Sequence, residues 1–82
     1  MGIDFRNPQP LHKQIHQDLV NNIQVGNLKV GDKLKTQYEL VKKYDVSLIT
    51  VKRALSDLIN EGILFARVGK GTFVARRPSN ID

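Results

Sequence analysis

Residues 47–60 have the sequence SLITVKRALSDLIN, in which apolar residues recur at the spacing of a helix. Those that form one stripe are Val51, Ala54, Leu55, Leu58 and Ile59. Ser47 is a favourable N-cap, because its hydroxyl can accept a hydrogen bond from the backbone N–H near Thr50. The positions that face away from the stripe are Ile49, Lys52, Arg53 and Ser56. The first two turns therefore expose a hydroxyl, two cations and an apolar tip, which are groups that contact phosphates and base edges in a major groove.

A shorter helix is predicted immediately before this one. Thr36 and Glu39 form the T-x-x-E pattern of a capping box, which opens a helix over about residues 36–44. The residues of this helix that we expect to face inward are Leu40, Val41 and Tyr44. Asp45 lies where the chain must turn, and aspartate tolerates a positive φ better than most residues.

Two helices joined by a turn of three or four residues around a buried Val46 are typical of a helix-turn-helix, here over about residues 36–55. In that motif the second helix enters the major groove of DNA. The alternatives are a corner that only packs two helices together, and an ordinary amphipathic helix with a solvated face.

A β-hairpin is predicted over about residues 63–75, after a helix stop at Glu61-Gly62. The β-prone runs ILFAR and TFVA flank a loop that contains Gly69-Lys70-Gly71. This loop superficially resembles a phosphate-binding loop, but Leu64 stands where that motif requires a glycine and no helix follows. We therefore exclude a nucleotide site and interpret the hairpin as a wing, whose Arg67 and Lys70 contact DNA beside the helix.

An N-terminal helix precedes these elements. Its apolar residues recur every four positions and are Leu11, Ile15, Leu19 and Ile23, with Val20 widening the stripe. Gly26 and Asn27 are expected to end it, because both tolerate a left-handed cap. His12 and His16 are four residues apart, which suits a metal ion, but the sequence shows no third ligand. We expect no metal site and no cofactor.

The remaining segments are predicted to connect or flank the domain, which we place at residues 8–76. Residues 1–7 resemble an N-terminal arm, and residues 28–34 form a loop with a turn at Gly31-Asp32 and one short strand at Lys33-Leu34. Residues 77–82 are expected to begin a linker.

Charge is distributed unevenly along the 82 residues, whose net charge is +5. Residues 1–32 contain three cations and three anions, whereas residues 33–77 contain ten cations and four anions. The basic excess thus lies in the part that contains the predicted helix-turn-helix and wing. A polyanion is the natural partner of such a surface.

Several classes of protein are disfavoured by composition. The chain has no cysteine, so it has neither a disulfide framework nor a cysteine-based zinc site. No apolar run approaches membrane-spanning length, and the N-terminal MGIDFRNPQP lacks the apolar region of a secretory signal. The absence of cysteine fits a reducing cytoplasm. No acidic pair lies beside a histidine, so we expect no enzymatic activity.

The whole pattern resembles the GntR family of bacterial transcription regulators over residues 8–76. The matching residues are Pro10-Leu11, Gln14-Ile15, Ile23-x-x-Gly26-x-Leu28-x-x-Gly31-x-Lys33-Leu34, Glu39-Leu40, Val46-Ser47, Thr50-Val51, Ala54-Leu55-x-x-Leu58, Glu61-Gly62 and Gly69-Lys70-Gly71-Thr72-Phe73-Val74. The resemblance implies a mainly α fold with a small β-hairpin, a winged helix-turn-helix of three helices plus a wing. It also implies binding to a near-palindromic double-stranded operator as a homodimer.

The resemblance also implies which residues contact DNA, at the starts of the second and third helices and at the wing tip. Together with the cations found from the pattern itself, the predicted DNA-binding residues are Lys35, Thr36, Tyr38, Ser47, Leu48, Ile49, Thr50, Lys52, Arg53, Arg67, Gly69, Lys70, Gly71 and Thr72. Family members usually continue into an effector-binding and dimerising domain, so we expect a small-molecule effector to act only through such a domain. On its own, residues 8–76 should be a monomer that pairs on DNA.

The chain departs from the family pattern at the predicted interface. Lys35-Thr36-Gln37 replaces the usual Pro-Ser-Glu, and Asp45 replaces a usual glycine. Arginine is common in the family at the positions of Tyr38, Leu48 and Lys52, of which only Lys52 keeps a cation here. Lysine lacks the two-pronged fit of arginine to guanine, so the family's common operator does not carry over. Leu48 either contacts thymine methyl groups or is partly buried.

The alternative function is that of a winged-helix module that binds another protein. Such a module would favour an apolar or acidic face, and the basic excess of residues 33–77 argues against it. Binding to RNA is also disfavoured, because the sequence shows no aromatic platform for stacked bases. The sequence therefore predicts sequence-specific binding to double-stranded DNA.

Overall fold

The computed structural model describes residue 6 and residues 8–78. The elements are three helices followed by two strands: α1 Leu11–Gln24, α2 Gln37–Tyr44, α3 Leu48–Asn60, β1 Leu64–Arg67 and β2 Gly71–Val74. The two strands pair antiparallel, so the predicted winged helix-turn-helix is confirmed. Apart from Arg6, the predicted N-terminal arm lies outside the described residues, as do residues 79–82 of the predicted linker.

The core forms where α1 crosses α3, with α2 and the base of the hairpin closing it. Its fully buried members include Ile15 of α1, Leu40 of α2 and Leu58 of α3. The remaining buried apolar residues are Leu19, Val20, Ile23, Leu34, Tyr44, Val51, Ala54, Leu55, Ile63, Leu64 and Val74. Every position predicted for the α1 stripe beyond Leu11 is buried, as are four of the five positions predicted for α3.

Four predicted apolar positions are not fully buried, since Leu11, Val41 and Val46 are half-buried and Ile59 is exposed. Ile59 is 37% exposed, because it follows Leu58 by one residue and so lies about 100° around the helix from it, at the edge of the buried stripe. Val46 is half-buried and packs against the core from the turn between α2 and α3. Apolar spacing alone does not say where the edge of a buried face lies.

The caps of α2 and α3 and the turn between the two helices have the predicted hydrogen bonds and backbone conformation. The Thr36 hydroxyl accepts from the Glu39 backbone N–H at 3.1 Å, and the Glu39 carboxylate accepts from the Thr36 N–H at 2.8 Å. Asp45 is left-handed with φ 54°, and the Ser47 hydroxyl accepts from the Thr50 N–H at 3.3 Å. Thr36 and Ser47 thus precede their helices as caps, which fixes where each helix begins.

The wing sheet gains a partial third strand from residues 31–34. The Leu34 N–H donates to the Thr72 carbonyl at 2.8 Å, and the Val74 N–H donates to the Asp32 carbonyl at 2.9 Å. Lys33 forms an isolated antiparallel bridge with Phe73. The short strand predicted at Lys33-Leu34 is therefore present at only one ladder position. The entry to α2 is therefore bonded directly to the wing.

Arg76 and Arg77 fasten the end of the described chain to the helices. The Arg76 guanidinium donates to the Glu61 carbonyl at the end of α3 at 2.9 Å, and that of Arg77 donates to the Gln24 carbonyl at the end of α1 at 2.6 Å. Cations are favoured at helix C-termini, where carbonyls lack partners. Contacts with the domain therefore continue through Arg77, one residue beyond its predicted limit.

A part-buried polar contact joins α1 to α2. The Tyr44 hydroxyl donates to Asp18 Oδ2 at 2.6 Å, and the Tyr44 side chain is otherwise in the core. Burial raises the pKa of Tyr44 well above its usual value, and the hydrogen bond to Asp18 raises it further. The hydroxyl therefore stays protonated and remains a donor.

Replacing Tyr44 with phenylalanine is expected to lower the free energy of unfolding by about 1–2 kcal/mol, because a part-buried carboxylate loses its donor. Urea unfolding followed by circular dichroism measures this. Tyr38→Phe is the control: Tyr38 is 70% exposed, so its variant should unfold at the wild-type midpoint. Equal midpoints for Tyr44→Phe and wild type would show that the contact with Asp18 adds nothing.

Candidate nucleic-acid interface

The first two turns of α3 present a polar and cationic surface. Ile49 is 76% exposed, and Lys52 and Arg53 are exposed beside it. Ser47 and Thr50 are joined by a hydrogen bond of 2.9 Å between their hydroxyls. No acidic residue lies in the first turn of α3, so the positive end of the helix dipole is not neutralised there.

Leu48 is half-buried at the first position of α3. Of the two alternatives that the sequence left open, partial burial is the one that the structure shows. Leu48 directly precedes the exposed Ile49 in the chain. Thr50 is also half-buried, and its hydroxyl forms a hydrogen bond with that of the cap residue Ser47.

A groove of about 490 Å³ separates the start of α2 from the wing. Eight of the predicted DNA-binding residues line it together: Lys35, Thr36, Tyr38, Arg67, Gly69, Lys70, Gly71 and Thr72. None of the described residues that line it belongs to α3, so the other six predicted residues form a separate surface on the recognition helix. The predicted DNA-binding residues thus lie on two surfaces, the groove and the exposed face of α3.

Cations dominate this groove. Arg67 and Lys70 line it from the wing, and Lys35 lines it from the segment before α2. The carboxylate nearest the α2 entry belongs to Glu39, which accepts from the Thr36 backbone N–H. That hydrogen bond lowers the pKa of Glu39, and the nearby charges of Lys35 and Lys33 act in the same direction.

The sequence prediction missed two residues of this region. Lys33 lines the groove, although we assigned it only to a short strand. An extended segment places residues two apart on the same side, so Lys33 and Lys35 together were the available indication. Val68 is fully exposed at the wing tip, where the Lys70 N–H donates to the Arg67 carbonyl at 2.9 Å and Gly69 has φ 75°. Only the turn geometry shows that Val68 points to solvent.

One of the two histidines of α1 contacts the end of α3. His16 Nε2 lies 2.8 Å from Glu61 Oε1, which joins α1 to the end of α3. Within residue 6 and residues 8–78, no group of three or more histidine, cysteine, aspartate or glutamate side chains is placed to hold a metal ion. In the same part of the chain, no helix has both the length and the apolar character needed to cross a bilayer.

The arrangement of helix, capped turn, helix and basic wing has known counterparts. A family model described as bacterial regulatory proteins, gntR family, matches residues 11–74. The chain belongs to the GntR family. The resemblance found in the sequence is therefore confirmed.

Characterised relatives of this GntR chain are transcriptional repressors. An HTH-type transcriptional repressor of Salmonella typhimurium is 41% identical over 82 residues, which are 100% of this chain and 34% of that protein. The HTH-type transcriptional repressor NagR of Bacillus subtilis is 37% identical over 76 residues, or 93% of this chain and 31% of NagR. The chain thus spans about a third of the length of these relatives.

Solved GntR-type structures have the same fold. YtrA from Sulfolobus acidocaldarius, a GntR-family transcription factor, superposes with a TM-score of 0.85 at 32% identity, covering 93% of this chain and 80% of that one. The AraR DNA-binding domain, solved in complex with operator ORE1, superposes with a TM-score of 0.81 at 30% identity. That match covers 92% of this chain and 93% of the AraR chain.

Proposed function

We propose that this GntR-family domain binds double-stranded DNA at an operator, as part of a transcription regulator. The proposal rests on the cation-lined groove between α2 and the wing, in a fold whose recognition helix exposes Ile49, Lys52 and Arg53. The relatives named as repressors and the AraR domain solved with its operator support it. In this proposal the domain acts on the bacterial nucleoid, and its own role is binding without catalysis.

In this proposal the groove residues and the helix start bind the phosphate backbone. Lysine and arginine side chains, with the backbone N–H groups at the start of α3, contact phosphate oxygens and fix the position of the protein on the duplex. The residues in this role are Lys35, Thr36, Tyr38, Ser47, Arg67, Lys70 and Thr72. The backbone at Gly69 and Gly71 reaches the phosphates or the adjacent minor groove. Most of the affinity should come from these contacts and should fall steeply with salt.

The exposed face of α3 provides sequence preference. Ile49 and the exposed part of Leu48 suit the methyl group of thymine, whereas Thr50, Lys52 and Arg53 suit polar base edges. Because Lys52 is a single ammonium group and not a bidentate guanidinium, we expect moderate preference at the base that it contacts.

Regulation, in this proposal, needs two copies of the domain and a signal. Two copies bind the halves of a near-palindromic operator, because a two-fold symmetric dimer matches a two-fold symmetric site. We assign effector binding and dimerisation to chain outside residues 8–76. We place the start of a linker at residue 77, whose guanidinium still contacts the end of α1. On its own, the domain should be monomeric in solution and pair on DNA.

Selection of duplexes from a random pool at moderate salt tests the function. We expect enrichment of a two-fold symmetric motif. On the enriched duplex, Lys52→Ala should lower affinity and relax base preference, whereas Lys70→Ala should weaken binding to all sequences by a similar factor. Fluorescence anisotropy with the enriched and a scrambled duplex separates the two effects.

Two outcomes would contradict the assignment. If Lys52→Ala left binding to the enriched duplex unchanged, α3 would not be the recognition helix. If wild-type protein bound no duplex in a salt-sensitive way, the DNA-binding function itself would be wrong, and the winged-helix protein-interaction module would be the remaining candidate.

A further inference from the structure

The backbone of Lys33 is held beside the wing, and its side chain lies across Gly71. Its backbone lies in the ladder position opposite Phe73, next to the Leu34 N–H that donates to the Thr72 carbonyl. Its side chain crosses Gly71 so closely that a Cβ at position 71 would lie 2.7 Å from Lys33 Cε and 3.6 Å from Nζ. The contact involves the flexible end of the lysine, which would move if position 71 carried a side chain, and the φ of 123° at Gly71 separately favours glycine.

The ammonium group of Lys33 lies in a basic environment, because Lys35, Arg67 and Lys70 line the same groove. The nearby charge of opposite sign is the Glu39 carboxylate, which does not line the groove. In the described part of the chain, Lys33 forms no salt bridge with a carboxylate within 4 Å. Four cations that converge on one groove repel each other until an anion enters it.

We infer that Lys33 binds a DNA phosphate in the groove between α2 and the wing, where its side chain lies across Gly71. The inference rests on the proposed function and adds a contact that neither the sequence pattern nor the helix-turn-helix predicts. Because the backbone of Lys33 is held in the ladder with the wing, the base of its side chain lies beside the groove before DNA binds. Because the contact is with the phosphate backbone of DNA and not with a base, it adds affinity for every DNA sequence.

The test uses two variants that separate the charge of Lys33 from its stem. Lys33→Met keeps an unbranched apolar stem over Gly71 and removes the charge, whereas Lys33→Ala removes both. Lys29→Met is the matched control, because Lys29 is an exposed lysine of the same loop that lines a different groove with Val30 and Arg77. Circular dichroism melting first establishes that the variants are folded.

Affinities for the enriched duplex and for a random-sequence duplex are then measured by anisotropy from about 50 to 200 mM salt. We expect both Lys33 variants to bind both duplexes more weakly and to lower the slope of log affinity against log salt by about 0.9, the value for one phosphate. Their deficit should then be about 3.5-fold larger at the low than at the high salt concentration. Lys29→Met should retain the wild-type slope.

The inference is overturned if Lys33→Met keeps wild-type affinity and slope while Lys33→Ala does not, since the stem would then only support the wing. It is also overturned if Lys29→Met shows the same loss, since general charge would then explain the result. A wild-type protein without salt-sensitive DNA binding would overturn the proposed function, and this inference with it. The first two outcomes leave the proposed function in place.

Discussion

Replacing Ile49 with glutamate is expected to abolish operator binding without harming the fold. Ile49 is 76% exposed and is the second residue of α3, so a carboxylate there meets solvent and not the core. Acidic residues near a helix N-terminus are favourable by about 0.3–1 kcal/mol, so the thermal midpoint should stay or rise slightly. On DNA, however, the carboxylate would face phosphates and base acceptors. Like charges brought together in an interface cost several kcal/mol, which corresponds to an affinity loss of at least about 100-fold.

Asn60→Glu is the control for this variant. It adds the same charge to an exposed position at the last turn of the same helix, about 16 Å from position 49 along the axis. This distance exceeds the screening length at physiological salt, so the loss of affinity should be small. Anisotropy and circular dichroism on both variants complete the test. A less than tenfold loss for Ile49→Glu in a folded protein would show that the start of α3 does not enter the groove.

The largest effect on stability is expected from Leu58→Ala. Leu58 is fully buried on α3, the helix that packs against α1. Truncating a buried leucine costs about 2–5 kcal/mol, a large part of the roughly 5–15 kcal/mol that stabilises a typical domain. For a domain of this size, each kcal/mol lowers the melting temperature by about 4–8 °C, so we expect a drop of roughly 10 °C or more.

The neighbouring Ile59→Ala variant separates burial from side-chain type. It removes a similar aliphatic group one residue further along the same helix, but Ile59 is 37% exposed. Its cost should be about 1 kcal/mol or less, because a half-exposed side chain leaves no closed cavity and alanine favours the helix. Equal losses for the two variants, measured by thermal and urea unfolding, would contradict the assignment of Leu58 to the core and Ile59 to its edge.

The order and type of the elements followed from local sequence. The four-residue apolar spacing of α1, the capping box at Thr36 and the cap at Ser47 each act within one or two turns of a helix. Asp45 takes a left-handed conformation because a short polar side chain tolerates a positive φ, which again depends on one residue. Interactions of this range can be recognised without knowledge of the tertiary fold.

The exposed recognition face was predictable for the same reason. Ile49, Lys52 and Arg53 lie opposite the apolar stripe of their own helix, so the helical period alone predicts that they are exposed. Ile59 was misassigned because the width of the buried face depends on which element covers it. The width of the buried face of α3 is set by how α1 packs against it and cannot be read from the helical period of α3.

The groove is the part that only the tertiary structure decided. Lys33 and Lys35 line it together with Arg67 and Lys70, which come more than thirty residues later in the chain. The backbone hydrogen bond between Leu34 and Thr72 brings these two segments together. The contact between the Lys33 side chain and Gly71 likewise arises from a cross-strand neighbour that no local pattern encodes. The sequence by itself determined the helices, their caps and the charge of the partner, because these depend on neighbours along the chain. The tertiary structure determined which distant cations share one groove, because their proximity depends on how the strands pair.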